Sequence, residues 1–200
     1  ISLHDFIEEQ GIIPDVVSID AQGMELGIMK GAASAMQHVN CVVSEVEFFE
    51  IYSGQGLFHE QMRLLEGHGF RLADLLNTQR WYPGPASGEG FLTVAEALWI
   101  KKIDAFLASG PEQNHFVLRG VKLSALAFAF KRYSYAYVLL KALMNRDNAL
   151  VVELCNTHGF ARLLTMTNEM DANLGNYARD NSFFANYPPD VLTGAGGGSR

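Results

Sequence analysis

Apolar positions along the first hundred residues alternate between two spacings, and each spacing predicts a different element. Leu3, Phe6 and Ile7 share one helical face. Ser2 and Asp5 ahead of them have capping-box spacing, so a short helix is predicted over Ser2–Gln10, closed by Gly11 and turned by Pro14. Asp15 to Asp20 is a β-branched run of the kind buried on both faces of a parallel sheet. Gln22 and Gly23 turn the chain. Met24, Ile28, Ala32 and Met36 then recur every four residues and predict a helix to His38. Asn40–Phe49 reads as a second buried strand. Strand, helix and strand in so short a span make a βαβ unit, for which a right-handed crossover is expected.

The next stretch repeats the theme with one change. Tyr52–Gly56 is a loop, Leu57–Glu66 a helix, Phe70–Leu76 a third strand, Arg80–Gly90 a Pro- and Gly-rich loop, and Ala95–Lys101 a fourth strand. No helical pattern separates the third and fourth strands, so they are expected to pair as an antiparallel hairpin at the end of an otherwise parallel sheet. After Lys102 the texture turns to Ala, Leu, Phe and Tyr. Helices are predicted over Phe116–Lys131, Ser134–Asn145 and Asn148–Gly159, the first two forming an αα-hairpin. From Thr167 the chain is rich in Asn, Gly and Asp and reads as an irregular tail. The domains are therefore expected as 1–102, an α/β unit; 103–166, a helical extension; and 167–200, an irregular, disordered tail.

Composition narrows the functional classes. Hydrophobic residues are 48% and charged residues 18% of 200, enough apolar surface for a packed core. The formal charge of −7, with no basic stripe, argues against nucleic acid as a partner. Cys41 and Cys155 lack C-x-x-C spacing, which excludes a disulfide scaffold and suits two reduced thiols. The start of the chain lacks signal-peptide character, no N-x-S/T acceptor occurs, and the longest apolar run, Leu123–Phe130, is too short to span a membrane. A cytoplasmic protein is the expectation.

The segment Ser18-Ile-Asp20-Ala-Gln22-Gly23-Met-Glu25-Leu-Gly-Ile-Met-Lys30-Gly31-Ala32 is more specific than a generic strand–turn–helix. It resembles the signature of FkbM-family methyltransferases, which runs roughly K-I-D-V-E/Q-G-x-E-x-x-V-L-K-G-A. Ser18 in place of Lys and Gln22 in place of Glu are mild departures. The entry helix, Glu45 on the second strand and the Tyr52-Ser-Gly-Gln loop agree with it, so the resemblance covers Ile1 to Lys102. It implies a class I methyltransferase (Rossmann-like) sheet of seven strands, with helices on both faces and the last strand antiparallel. It further implies methyl transfer from S-adenosyl-L-methionine to a hydroxyl of a sugar or secondary metabolite.

In that fold the cofactor sits largely on a Gly-rich loop after the first strand, near the switch in strand order. Residues 1–14 contain no G-x-G. The chain is therefore expected to be the C-terminal part of a catalytic domain, with its cofactor-binding residues unassigned and the isolated chain inactive. The alternatives are a non-catalytic interaction module, built from a truncated sheet plus helical hairpin, and another doubly wound enzyme such as a nucleotide-sugar oxidoreductase.

Six residues are candidates for the site. Asp20 ends the first strand where the ligand should lie, and is expected to accept the hydroxyl proton or orient the acceptor; its structural alternative is capping the next turn. Gln22 and Gly23 shape that turn, Gly23 through positive φ or close ligand approach. Glu25 is either a substrate contact or a favourable charge at the helix N-terminus. Glu45 is a carboxylate on an otherwise buried strand, costly unless it has a role, whereas Glu47 reads as past the sheet. His59 is placed near the acceptor pocket, with a solvated or capping role as its plainer reading. No metal is expected. A divalent cation on Asp20, Glu45 and His59 is the less favoured arrangement. The helical extension resembles a tetratricopeptide hairpin, read as a cap over the sheet with a protein-docking role as the minority view.

Overall fold

A computed structural model describes residues 2–12, 14–32, 35–81, 90–109 and 115–180. The chain forms two compact units, Ile1–Pro111 and Glu112–Arg200. The first is a mixed α/β unit. It holds α1 (Leu3–Gln10), β1 (Val16–Ile19), α2 (Glu25–Gly31), β2 (Cys41–Glu47), α3 (Phe58–Gly67), β3 (Phe70–Trp81), β4 (Phe91–Lys101) and α4 (Ile103–Ala108).

Local chemistry sets several of these boundaries as predicted. Ser2 Oγ accepts from Asp5 N, and Asp5 Oδ2 accepts from Ser2 N, each at 3.1 Å. Gly11 ends α1 in the left-handed region at φ 61°. The sheet order is β1-β2-β4-β3, with β1 parallel to β2, β2 antiparallel to β4, and β4 antiparallel to β3. The expected βαβ unit and terminal hairpin are both present. The last strand in sequence inserts between β2 and β3, so it is antiparallel to both neighbours.

One sheet face carries a large core cluster. Val17, Ile19, Val42, Val46, Ala95, Ala97 and Trp99 pack against Met29, Met36, Leu65 and Phe70 from the helices and β3. Strand alternation sends Ser18, Glu45 and Glu96 to the opposite face, of which Ser18 is exposed and Glu45 and Glu96 half-buried.

Several elements differ from the sequence reading. The helix predicted from Met24 to His38 stops at Gly31, and a 3₁₀ turn, Ala35–Gln37, follows. The four-residue period survives the break: Met36 N donates to Ala32 O at 3.0 Å, and Met29, Ala32 and Met36 are all buried. The third and fourth strands are longer than predicted, because Gln79, Arg80 and Trp81 find ladder partners in Val94, Leu92 and Phe91. Cross-strand hydrogen bonding thus holds polar residues that show no alternation. The rest of the predicted loop, 82–89, lies outside the described residues. The helix α4 follows Lys102 and is too short to show a period, yet it buries Phe106.

The second unit is helical: α5 (Phe116–Ala129), α6 (Tyr133–Thr157) and α7 (Ala161–Asp180). The two helices predicted over Ser134–Asn145 and Asn148–Gly159 are both present within α6 and abut at a kink. They meet at Asp147, whose backbone is non-helical at φ −152° and ψ 87°. Its Oδ1 accepts from Leu150 N at 2.9 Å, so Asp147 caps the second helix at the kink. Thr167–Asp180, expected to be irregular, continue α7 instead. Tyr137 and Lys141 of α6 both hold Asp171 of α7, at 2.6 and 2.9 Å. This tie between distant residues is invisible to a local pattern. The predicted tail beyond, 181–200, lies outside the described residues.

Both cysteines are free and buried, and burial pushes their thiols up, Cys41 to about 12 and Cys155 to about 11. Among the described residues no helix is long and apolar enough to cross a membrane.

Candidate functional site

The turn after β1 is built around a carboxylate. Gln22 and Gly23 both adopt left-handed backbone, at φ 51° and 96°. That pair of conformations curls the backbone amides inward, forming a small anion-binding concavity. Glu25 fills it. Its Oε1 accepts from Ala21 N at 2.6 Å and its Oε2 from Gly23 N at 2.9 Å, while the residue is fully buried. The spacing of Asp20, Gln22, Gly23 and Glu25 thus has a physical basis: the glutamate folds back to hold the turn that presents Asp20 and Gln22.

The loop after β2 packs on this turn. A Cβ on Gly23 would stand 3.2 Å from the Tyr52 ring, and one on Gly56 would stand 2.5 Å from Leu26 Cβ. Glycine at both positions lets the two loops meet. Gln55 Oε1 accepts from the backbone amides of Ile51 and Tyr52 and holds the second loop in shape. Replacing Glu25 by alanine should therefore lower the stability of the first unit by about 2–3 kcal/mol, since two backbone donors lose a charged acceptor. Urea denaturation followed by tryptophan fluorescence measures this directly, because Trp81 and Trp99, the chain's two tryptophans, both lie in the first unit.

Asp20 lines a pocket of about 330 Å³ at the carboxyl ends of β1 and β2. It is lined by Ser18, Ile19 and Asp20 of the first segment, Val43 and Glu45 of β2, and residues of β3 and β4 that include Asn77 and Glu96. Gln22 Nε2 donates to Asp20 Oδ1 at 3.0 Å and to Glu45 Oε2 at 3.2 Å, and Tyr52 Oη donates to Gln22 Oε1 at 3.4 Å. Glu45 and Glu96 stand opposite each other on β2 and β4. Like charges so placed repel. Each is met by an amide: Gln22 at Glu45, and Asn77 at Glu96 through a 2.6 Å hydrogen bond. Asn77 reaches Glu96 from an irregular stretch of β3, where its own φ is 43°. Among the lining residues there are three carboxylates and no lysine, arginine or histidine. Burial first, then the charges of Asp20, Glu25 and Glu96, raises the Glu45 carboxyl above its ordinary value.

Beneath the pocket a buried chain of hydrogen bonds fixes β2. Trp99 Nε1 donates to Ser44 Oγ at 3.0 Å, Ser44 Oγ donates to Gln61 Oε1 at 2.9 Å, and Gln61 Nε2 donates to the Glu45 carbonyl at 2.9 Å.

The structure thus brings Asp20, Gln22, Gly23, Glu25 and Glu45 together. His59 is exposed in the first turn of α3 and is not in the carboxylate group, where Glu25 stands as the third residue. Glu47 is not past the sheet. It is the last residue of β2, paired with Val94, and only 1% exposed. Burial first, then Glu25 and Glu45, pushes its carboxyl up to about 7. Asn77, Glu96 and Tyr52 were not among the sequence candidates. A glutamate inside the apolar run Ala95–Leu98 is a local signal for Glu96, but only strand order puts it opposite Glu45.

Residues 1–72 match the family model described as the methyltransferase FkbM domain. The match is to part of a domain and includes every candidate residue from Asp20 to His59. No curated protein and no solved structure matches the chain.

Proposed function

We propose that this chain carries the acceptor side of an O-methyltransferase, with Asp20 as the base or orienting carboxylate for a hydroxyl of a sugar or secondary metabolite. The observation that carries this reading is the position of Asp20. It lies at the carboxyl end of a parallel strand, on the rim of a pocket, within the segment that matches the FkbM domain. A strand order in which the last strand is antiparallel to its neighbours supports a class I methyltransferase sheet.

S-adenosylmethionine, when bound, supplies an electrophilic methyl on a positively charged sulfur. The donor set suits such a group: Asp20, Glu45 and Glu96 give the pocket a negative lining that favours a cation. The residues that would hold its adenosine half are not assigned. On the acceptor side, Asp20 takes the hydroxyl proton or holds the hydroxyl by a hydrogen bond. Gln22 keeps Asp20 and Glu45 in fixed relation, and Tyr52 steadies the far end of the Gln22 amide. Glu25 acts through the turn and is a positioning residue.

The full-length gene product, supplied with methyl-labelled S-adenosylmethionine and a panel of polyhydroxylated acceptors, should transfer label to an acceptor oxygen, read by mass spectrometry. Label found only on nitrogen or carbon acceptors, or none above background across the panel, would sink the proposal.

A further inference from the structure

We infer that Glu47 and Gln55 form a proton-operated latch, which holds the loop of residues 48–57 against the β1–α2 turn while Glu47 carries a proton and releases it when Glu47 is ionised. The latch is a property of the folded chain and does not rest on the methyl-transfer reading.

Glu47 ends β2, directly before the loop, and is 1% exposed. Its side chain lies against that of Gln55, which is buried too. Each brings a polar atom that closes no hydrogen bond among the described residues, Glu47 Oε2 and Gln55 Nε2. The other end of the Gln55 amide is committed. Its Oε1 accepts from Ile51 N and Tyr52 N, so the side chain that meets Glu47 is also the one that shapes the loop. From there the contacts run to the site. A Cβ on Gly23 would stand 3.3 Å from Gln55 Cβ and 3.2 Å from the Tyr52 ring, and Tyr52 Oη donates to Gln22 Oε1 at 3.4 Å.

The proton decides whether this arrangement holds. A neutral carboxyl stays buried with an unfilled oxygen at moderate cost, whereas an ionised one demands water or a positive partner. Among the described residues, the charged groups acting on Glu47 are Glu25, in the first turn of α2, and Glu45, on its own strand, both negative. Across the ladder β4 sets Val94 opposite it, and the loop contributes the neutral Gln55. Burial first, then the two carboxylates, hold the Glu47 carboxyl at about 7 rather than the ordinary 4.5. The closed loop therefore binds the proton more tightly than an open loop that leaves Glu47 in water. Closure is fully favoured below pH 4.5, weakens as the pH rises toward 7, and changes no further above it. The loop is the side that yields, because β2 and β4 are bonded as strands and the hydrogen bond from Tyr52 to the turn is long.

The test is a nuclear magnetic resonance titration of the full chain, labelled with carbon-13 and nitrogen-15, from about pH 4 to 9. The Glu47 carboxyl should titrate near 7, and the amide signals of Gly23, Tyr52 and Gln55 should shift with the same midpoint. A Glu47 titration at the ordinary carboxylate value, or loop signals that ignore it, would overturn the inference. Amide hydrogen exchange, corrected for its intrinsic pH dependence, reads the opening itself. Protection at Ile51 and Tyr52 should fall by about tenfold per pH unit between pH 5 and 7 and then level off. Glu47→Gln, which cannot ionise, should keep it constant over that range. The same fall in the folded Glu47→Gln chain would overturn the latch. So would protection in the wild type equal to that of the β4 core amides, since the loop would then leave only with the whole unit. If Glu47→Gln does not fold, the wild-type titration and exchange decide the question. Because neither cofactor nor acceptor is present, failure here is distinct from failure of methyl transfer.

Discussion

Asp20→Asn should lower the methyl-transfer rate constant of the full-length gene product by about 10²–10⁴-fold, the range that a positioned base contributes. Asparagine keeps the shape of the side chain and still accepts from Gln22 Nε2, so the rim of the pocket survives. What it loses is the ability to take a proton. Asp20 is exposed and lies outside the buried core, so the thermal midpoint of the variant should stay within a degree or two of the wild type, consistent with a surface change of about 0.5 kcal/mol or less. Single-turnover rates at saturating cofactor separate the chemical step from binding. A loss confined to KM would make Asp20 a binding contact alone. An unchanged rate in the folded variant would return Asp20 to the role of a turn residue. Glu25→Ala should behave oppositely, losing stability first and activity only through the displaced turn.

Trp99→Ala should destabilise the first unit by about 3–5 kcal/mol, a large share of the total for a domain of this size. Trp99 is fully buried, stacks near Phe58 at a centroid distance of 5.9 Å, and sits in the middle of the sheet-face core. Its removal leaves a cavity and also takes the Nε1 donor from Ser44, the first link in the chain that ends on the Glu45 carbonyl. The site should therefore loosen together with the core. Trp99→Phe keeps most of the volume and removes the donor, and should cost about 1–3 kcal/mol. Trp81→Ala is the contrast, since that residue is 49% exposed, and its effect should stay near zero. Urea denaturation followed by far-ultraviolet circular dichroism measures all three. Equal effects at Trp81 and Trp99 would contradict the packing described.

The site was legible in the sequence to the extent that it is local. Asp20, Gln22, Gly23 and Glu25 lie within six consecutive positions, and their resemblance to the FkbM signature is carried by that spacing. The structure adds why the spacing works: left-handed backbone at Gln22 and Gly23 wraps two amides around Glu25. The neighbours of Glu47, Phe48 and Phe49, carry no information about β4, so the local sequence places it past the sheet. It is pairing with Val94 that buries it. In the helical unit the same division appears. Both halves of α6 announce themselves by period, and the kink at which they meet rests on one backbone conformation at Asp147 and one capping bond.

The sequence by itself determined the α/β character of the first hundred residues, the helix cap at Ser2, the parallel β1–β2 pair and the turn that carries Asp20. These follow from turn chemistry and from apolar periods that each extend over a few residues. Only the tertiary structure decided that β4 enters the sheet between β2 and β3, that Glu96 faces Glu45, and that Asn77 and Gln22 each donate to one of them. Strand order and register join residues about fifty positions apart, and every side chain's neighbours change with them. An acidic pocket is therefore a property of the pairing, while the carboxylates that line it are a property of the chain.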